Sequence, residues 1–370
     1  ASVSVSIATI SSKQYATFNT SGTANIGGKL TVNSYQNTAE LPTSFGTILT
    51  DVISIAAGTN TPSSITRTAM AEAYILSASA GMVCISANLA VATADATSIA
   101  SAGGANLTAA GGITVYNKAK SVAEISVMNL TAAAIAIGVN SGITVAKGDF
   151  EAGLDTSGIV NVTGDVNVTN EWNSKANSDL TPAAGGITIT LATVDANSAL
   201  AFDKTYAAAY IRGIGTGSKL TSTGNVTVKS SGTGYAYATV ETPLLAVGAY
   251  AATVNVAAAL LLAKQEAYIS DSTVTTTGTG SGTSVTAEFN KGSTEGAKST
   301  LGGIGGNLSL ISVKANAATA ISGVVSSAFT KNAGFGSSAL RSGTITIGST
   351  GTSYANATVA APTVEAAIAG

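Results

Sequence analysis

The chain has 370 residues and a net charge of −2; 10 % of its residues are charged, 5 % aromatic and 45 % hydrophobic. Ordinary globular domains carry about 25 % charge, and disordered chains combine high net charge with poor hydrophobicity. This balance argues against disorder and offers nothing to attract nucleic acid or an anionic membrane surface.

Histidine is absent and Cys84 is the only cysteine. The usual general base, the usual zinc ligand, any disulfide framework and any thiolate cluster are therefore missing together. We expect no enzyme, with no catalytic residues, no cofactor and no metal. Cys84, between Val83 and Ile85, reads as a small buried hydrophobe.

From the N-terminus, Ala1-Ser2-Val3-Ser4-Val5-Ser6-Ile7 alternates like a strand, without the basic start or cleavage pattern of a signal peptide. A signature of Gly-x-aliphatic-polar-aliphatic then recurs. It runs through Gly28–Val32, Gly111–Val115, Gly158–Val162, Gly164–Val168, Gly185–Ile189, Gly224–Val228, Gly306–Leu310 and Gly343–Ile347. Glycine takes the positive-φ corner of a tight turn, two aliphatics face one side, and the polar residue between them faces the other. Alanine-alternating stretches such as Tyr235–Val240 follow, and then the tripeptide Ala-Tyr-Ile at 73–75, 209–211 and 267–269.

The signature glycines Gly111, Gly164 and Gly224 are 53 and 60 residues apart. Irregular units of that size mark a repeat architecture. Ala238–Gly248 running into Ala252–Val256 matches Ala357–Gly370 followed by Ala1–Val5, so tail and head share a repeat phase. Either the chain is a window on a longer fibre, or its copies join head to tail. Composition barely shifts along the chain, so residues 1–370 read as one continuous body of about six to seven degenerate repeats.

Nearly all of the chain is expected to be strand. Five prolines fit strands that need their N–H groups, and the β-branched neighbours of Ala132–Ala134 oppose a helix there. Pro243–Ala263 is long enough to span a bilayer as a helix, but its Thr253-Val254-Asn255-Val256 rhythm is that of a strand. With three five-residue strands per coil, a coil takes roughly 20 residues, giving roughly 18 coils and a rod on the order of 85 Å. Trp172 is expected on a face or turn of so narrow a rod.

These repeats resemble those of large bacterial exoproteins of the leukotoxin and filamentous-haemagglutinin type. The Gly-x-aliphatic-Thr-Val strand, the alanine-alternating strand, the Val-x-Val segment and the Ala-Tyr-Ile tripeptide carry the resemblance. It implies a right-handed parallel β-helix, or β-solenoid, that forms the shaft of a secreted or surface-displayed bacterial adhesin or fibre. The expected partners are other copies, joined head to tail through terminal coils or by covalent continuation, with a host or cell-surface receptor or glycan at a tip. Nucleic acid and a membrane span are not expected.

Competing readings are a polysaccharide-cleaving β-helix enzyme and a glycan- or ice-binding module. The first needs paired acids. The chain gathers Asp149, Glu151, Asp155, Asp165 and Glu171, and its arginines are Arg67, Arg212 and Arg341; solvated turn acids are the reading taken. A calcium site would need several oxygens converging, and Gly302–Gly306 lacks the aspartate of a calcium-binding repeat. Ice binding needs an unbroken threonine file; Thr273–Thr277 is a short run. Gly213–Lys219 resembles a phosphate loop only loosely, and eight Asn-x-Ser/Thr sequons, including Asn161 and Asn225, follow from composition.

Overall fold

The structure, a computed structural model, describes residues 1–38, 71–180, 187–189, 191–241, 245–302, 306–337, 341–360 and 364–365. All regular structure among them is β-strand. In chain order the strands are β1 (Ser2–Ile26), β2 (Leu30–Gln36), β3 (Ala71–Ala109), β4 (Ile113–Val162), β5 (Val166–Leu180), β6 (Ile187–Ile189) and β7 (Ala192–Gly213). Next come β8 (Lys219–Ser222), β9 (Val226–Glu241), β10 (Leu245–Leu261), β11 (Lys264–Ser270), β12 (Thr273–Thr276), β13 (Gly282–Phe289) and β14 (Ala297–Gly302). The last are β15 (Gly306–Ser322), β16 (Val325–Lys331), β17 (Gly334–Phe335), β18 (Thr344–Gly351), β19 (Ala355–Val359) and β20 (Val364–Glu365).

Every strand pairing is parallel, and the register gives the size of the repeat. Ile113 lies beside Val166, Val166 beside Val226, Ile135 beside Ala192, and Tyr250 beside Ala192 and Ile311. Neighbouring rungs are thus one whole sequence repeat apart, not one third of it. This corrects the expected 20-residue coil. Among the described residues the longest run of paired strands, β1-β3-β4-β7-β10-β15-β20, has six spacings of ~4.8 Å, about 29 Å in all. The described residues therefore do not form the expected 85 Å rod.

The long strands do not run straight. Fifty extended residues would reach about 165 Å, yet within β4 the Ser121 hydroxyl donates to the Lys147 carbonyl at 2.7 Å. Ser178 reaches Gly142 O, Asn170 reaches Phe150 O, Gln265 reaches Ser230 O and Ser299 reaches Ala257 O in the same way. Each repeat therefore doubles back, placing two broad layers face to face. The first layer holds β2, the first half of β4, β5, β9, β13 and β14. The second holds β1, the long middle of β3, the second half of β4, β7, β10, β11, β15 and β16. Short strands β8 and β12 border them.

Between the layers, side chains stack like on like. The signature aliphatics Ile113, Val115, Val166, Val168, Val226 and Val228 are all fully buried, as the alternation requires. Their glycines serve two different ends. Gly112 and Gly164 do take positive φ (97° and 111°). At Gly343 the cause is close approach: a Cβ there would lie 1.7 Å from Ser281 O on the adjoining rung. The Ala-Tyr-Ile tripeptides also divide. Residues 209–211 and 267–269 pair in register, but Ala73-Tyr74-Ile75 lies in the other layer beside Ile125-Ser126-Val127.

A file of asparagines runs up the interior. Asn88 donates to Asn140, Asn140 to Asn197, Asn197 to Asn255 and Asn255 to Asn316, each at 2.8–2.9 Å. The three middle amides, Asn140, Asn197 and Asn255, each donate to one neighbour and accept from the other across one rung spacing. Asn140→Ala would strand the Asn88 donor and the Asn197 acceptor in a largely dry interior. The expected cost is about 2 kcal/mol, read as a lower denaturation midpoint at unchanged m-value; a loss under about 0.5 kcal/mol would mean that water replaces the amide.

Trp172 is interior, contrary to the expectation of a surface position: it is 4 % exposed. Its register neighbours are Ala119 and Gly232, and Phe289 lies beyond Gly232. Small residues on either side leave space for the indole. A Cβ on Gly232 would lie 2.2 Å from it.

Candidate interaction surfaces

Of the five gathered acids, three share one outward file. Asp149, Glu151 and Asp155 alternate along β4, with Gly153 between them where the Tyr210 ring lies across; a Cβ there would meet it at 2.3 Å. Asp155 is held by Arg212 through two hydrogen bonds of 2.9 and 3.1 Å. Glu151 is pushed above the usual carboxylate range by burial and by Asp149, and Asp149 by burial and by Asp95. Asp165 is elsewhere, in a turn, accepting the Asn225 N–H at 2.8 Å. Glu171 is on the opposite layer, accepting from Tyr116 at 2.7 Å and pairing with Lys118 at 3.6 Å. Among the described residues no three such side chains converge to hold a metal ion.

Tyr210, Tyr268 and Phe329 stack on successive rungs with centroids 5.3 and 5.1 Å apart and interplanar angles of 13° and 9°. The faces they turn to one another are covered, and Arg212 lies over the Tyr210 ring at 4.9 Å. On the first layer an open groove of about 380 Å³ includes Lys118, Glu171, Glu288 and Lys291. Its charges are paired, Lys118 with Glu171 and Lys291 with Glu288.

The remaining sequence candidates fall into ordinary structural roles. Thr275 and Thr276 are buried, and Val274 between Thr273 and Thr275 is in the core, so no flat threonine file forms there. Gly213–Lys219 leads from β7 through a turn with positive φ at Gly215 and Gly217 into strand β8. Cys84 is buried with Ala133 and Ala136. Asn225 accepts the Gly282 N–H at 3.0 Å, and Asn161 is exposed on β4. Arg341 is exposed. Arg67, Pro243, Pro362 and the middle of Gly302–Gly306 lie outside the described residues. Residues 245–261 of the apolar stretch form strand β10, and among the described residues no helix is long and apolar enough to cross a membrane.

Two surfaces remain. The first is the outer edge of β1, which among the described residues pairs along its length with β3 alone. Its 25 residues contain no proline and a single charge, Lys13. A long parallel edge with so little charge is a template for another strand.

The second is the outward side of the second layer, which sequence reasoning missed. One file reads Ile85, Ile137, Val194, Ala252, Val313 in register. On interior rungs, where no edge inflates the value, Val139 is 48 %, Val194 50 % and Val254 49 % exposed. The outward positions of β3 from Val83 to Thr93, and those in register with them on the other five rungs, include no charged residue. Charges begin at the next file, with Asp95, Lys147 and Lys204. The outward side of the first layer is the reverse, with Lys118, Lys175 and Lys229 paired to Glu171, Glu124 and Glu288. Comparison with protein-family models, with curated proteins and with solved structures finds no match.

Proposed function

We propose that the chain is a right-handed parallel β-solenoid serving as one segment of the shaft of an extracellular bacterial fibre or adhesin of the large-exoprotein kind. The supporting observation is the unbroken parallel ladder, with asparagine on asparagine and aliphatic on aliphatic from rung to rung. Such a body is held by nearest-neighbour rung contacts alone, as in other repeat proteins. Its work is mechanical. Load along the stacking axis is shared by every hydrogen bond of a rung, and separation requires many to break together.

The open edge of β1 is the surface through which a further rung adds, whether from another copy or from continuing chain. Repetition of one non-closing contact yields filaments. At about 29 Å of ladder per chain, many segments are needed to span a cell-surface distance. Electron microscopy of the purified chain at rising concentration checks this: filaments elongated along the ladder axis are expected. Discrete particles at every concentration would sink it.

A further inference from the structure

The apolar outer side of the second layer cannot be an ordinary solvated surface. Along the strands it extends about ten residues, or ~33 Å, and its six strands cover about 29 Å, giving roughly 900 Å² of flat, uncharged sheet. The largest apolar patch on a typical monomer is about 300–600 Å². A standard stable interface takes about 800 Å² from each partner. The patch therefore has the size of an interface, with a mainly aliphatic middle and, along one side, a charged border of Asp95, Lys147 and Lys204.

We propose that this face packs against the same face of a second copy, two sheets back to back about 10 Å apart. The face contains no charge with which to select an unlike partner. What complements it is another flat sheet of short aliphatic side chains of equal extent, and the chain itself supplies one. Two copies related by a two-fold axis bury the same patch on both, a closed isologous contact. Aliphatic side chains from both faces interdigitate as in a β-sandwich. A lipid surface fits less well: membrane-seeking faces carry an aromatic belt and a basic fringe, whereas the aromatics of this face are Tyr250 and Phe202 at its two ends and its charged border mixes acid with base. The pairing is sideways and does not rest on end-to-end growth at the β1 edge.

The test is the mass of the full chain in solution by sedimentation, from about 1 to 100 µM. The expected result is a dimer of twice 36.0 kDa that Val139→Lys with Val254→Lys weakens at least 100-fold. Thr169→Lys, which adds charge to the polar outer side of the first layer, leaves the dimer intact. If the lysine variant fails to fold, Val139→Thr with Val254→Thr keeps the shape and still weakens the dimer, by about tenfold. A parent that stays monomeric at 100 µM overturns the proposal. So does a parent that binds phosphatidylcholine–phosphatidylglycerol vesicles through this face while remaining monomeric, because the occupant is then lipid. Filaments that lose their sideways pairing in the lysine variant but keep their length uphold this contact and the end-to-end one separately.

Discussion

Trp172→Ala is expected to lower stability by about 3–5 kcal/mol, as removal of a large buried aromatic does when its surroundings cannot collapse. Collapse is blocked here by the ladder. Ala119 and Gly232 hold the backbone on either side in register, so the walls cannot close into the vacated space. The indole also spans the interior: its Nε1 donates to Gln265 Oε1 at 3.1 Å, and its ring lies 5.8 Å from Phe289. Without it a fully buried Gln265 keeps only its Nε2 bond to Ser230 O. Urea denaturation would read the loss as a lower midpoint, and a change below about 1 kcal/mol would contradict the interior placement.

Asp203→Asn is expected to stabilise the chain, and only at higher pH. The carboxyl is fully buried. Burial raises its pKa to about 7, while hydrogen bonds from Ser174, Thr205 and the Tyr235 backbone pull the other way without offsetting it. Unfolded, the group titrates near 3.8. Between those values the native state holds a proton that the unfolded state has released, so stability falls as pH rises from about 4 to 7 and then levels off. The full fall corresponds to about 4 kcal/mol at 1.36 kcal/mol per pH unit. Asparagine stays neutral throughout. The gain at pH 8 should be nearer 2–3 kcal/mol, because the new NH₂ faces the Tyr235 N–H. Below pH 4, where the aspartic acid is also neutral, the same unfavourable contact should leave the asparagine variant about 1–2 kcal/mol less stable than the parent. Asp195, raised to about 6 by burial, leaves a smaller decline in both. Thermal denaturation at pH 4, 6 and 8 measures the difference; equal stability of the two proteins at pH 8 would show that Asp203 is wetted.

Much of this architecture is legible in residue order. The signature spacing is the rung spacing. The inward aliphatics of Gly111–Val115, Gly164–Val168 and Gly224–Val228 are the ones alternation selects. Ala192–Thr205 and Tyr250–Ala263 share a phase, as do Ala238-Thr239-Val240 and Ala357-Thr358-Val359, two rungs apart through Ser299–Leu301. Period-two alternation is local, and a parallel ladder repeats whatever local pattern it is given, so these features need no long-range information.

Size and sidedness were decided elsewhere. Whether a 55-residue unit closes in one circuit or three depends on where the chain bends back. The contacts that bend it, such as Ser121 to Lys147 and Asn170 to Phe150, join residues that no periodicity connects. The position of Trp172 depended likewise on glycine arriving from the neighbouring rung. In Tyr250–Leu261 nearly every position is apolar, so composition cannot say which half faces inward. Only packing of one layer on the other put Ala257, Ala259 and Leu261 inside and left Val254 and Val256 bare. Local sequence thus set the strands and their register, because backbone pairing needs only neighbours. The tertiary fold alone assigned the faces, because burial is a property of what lies opposite.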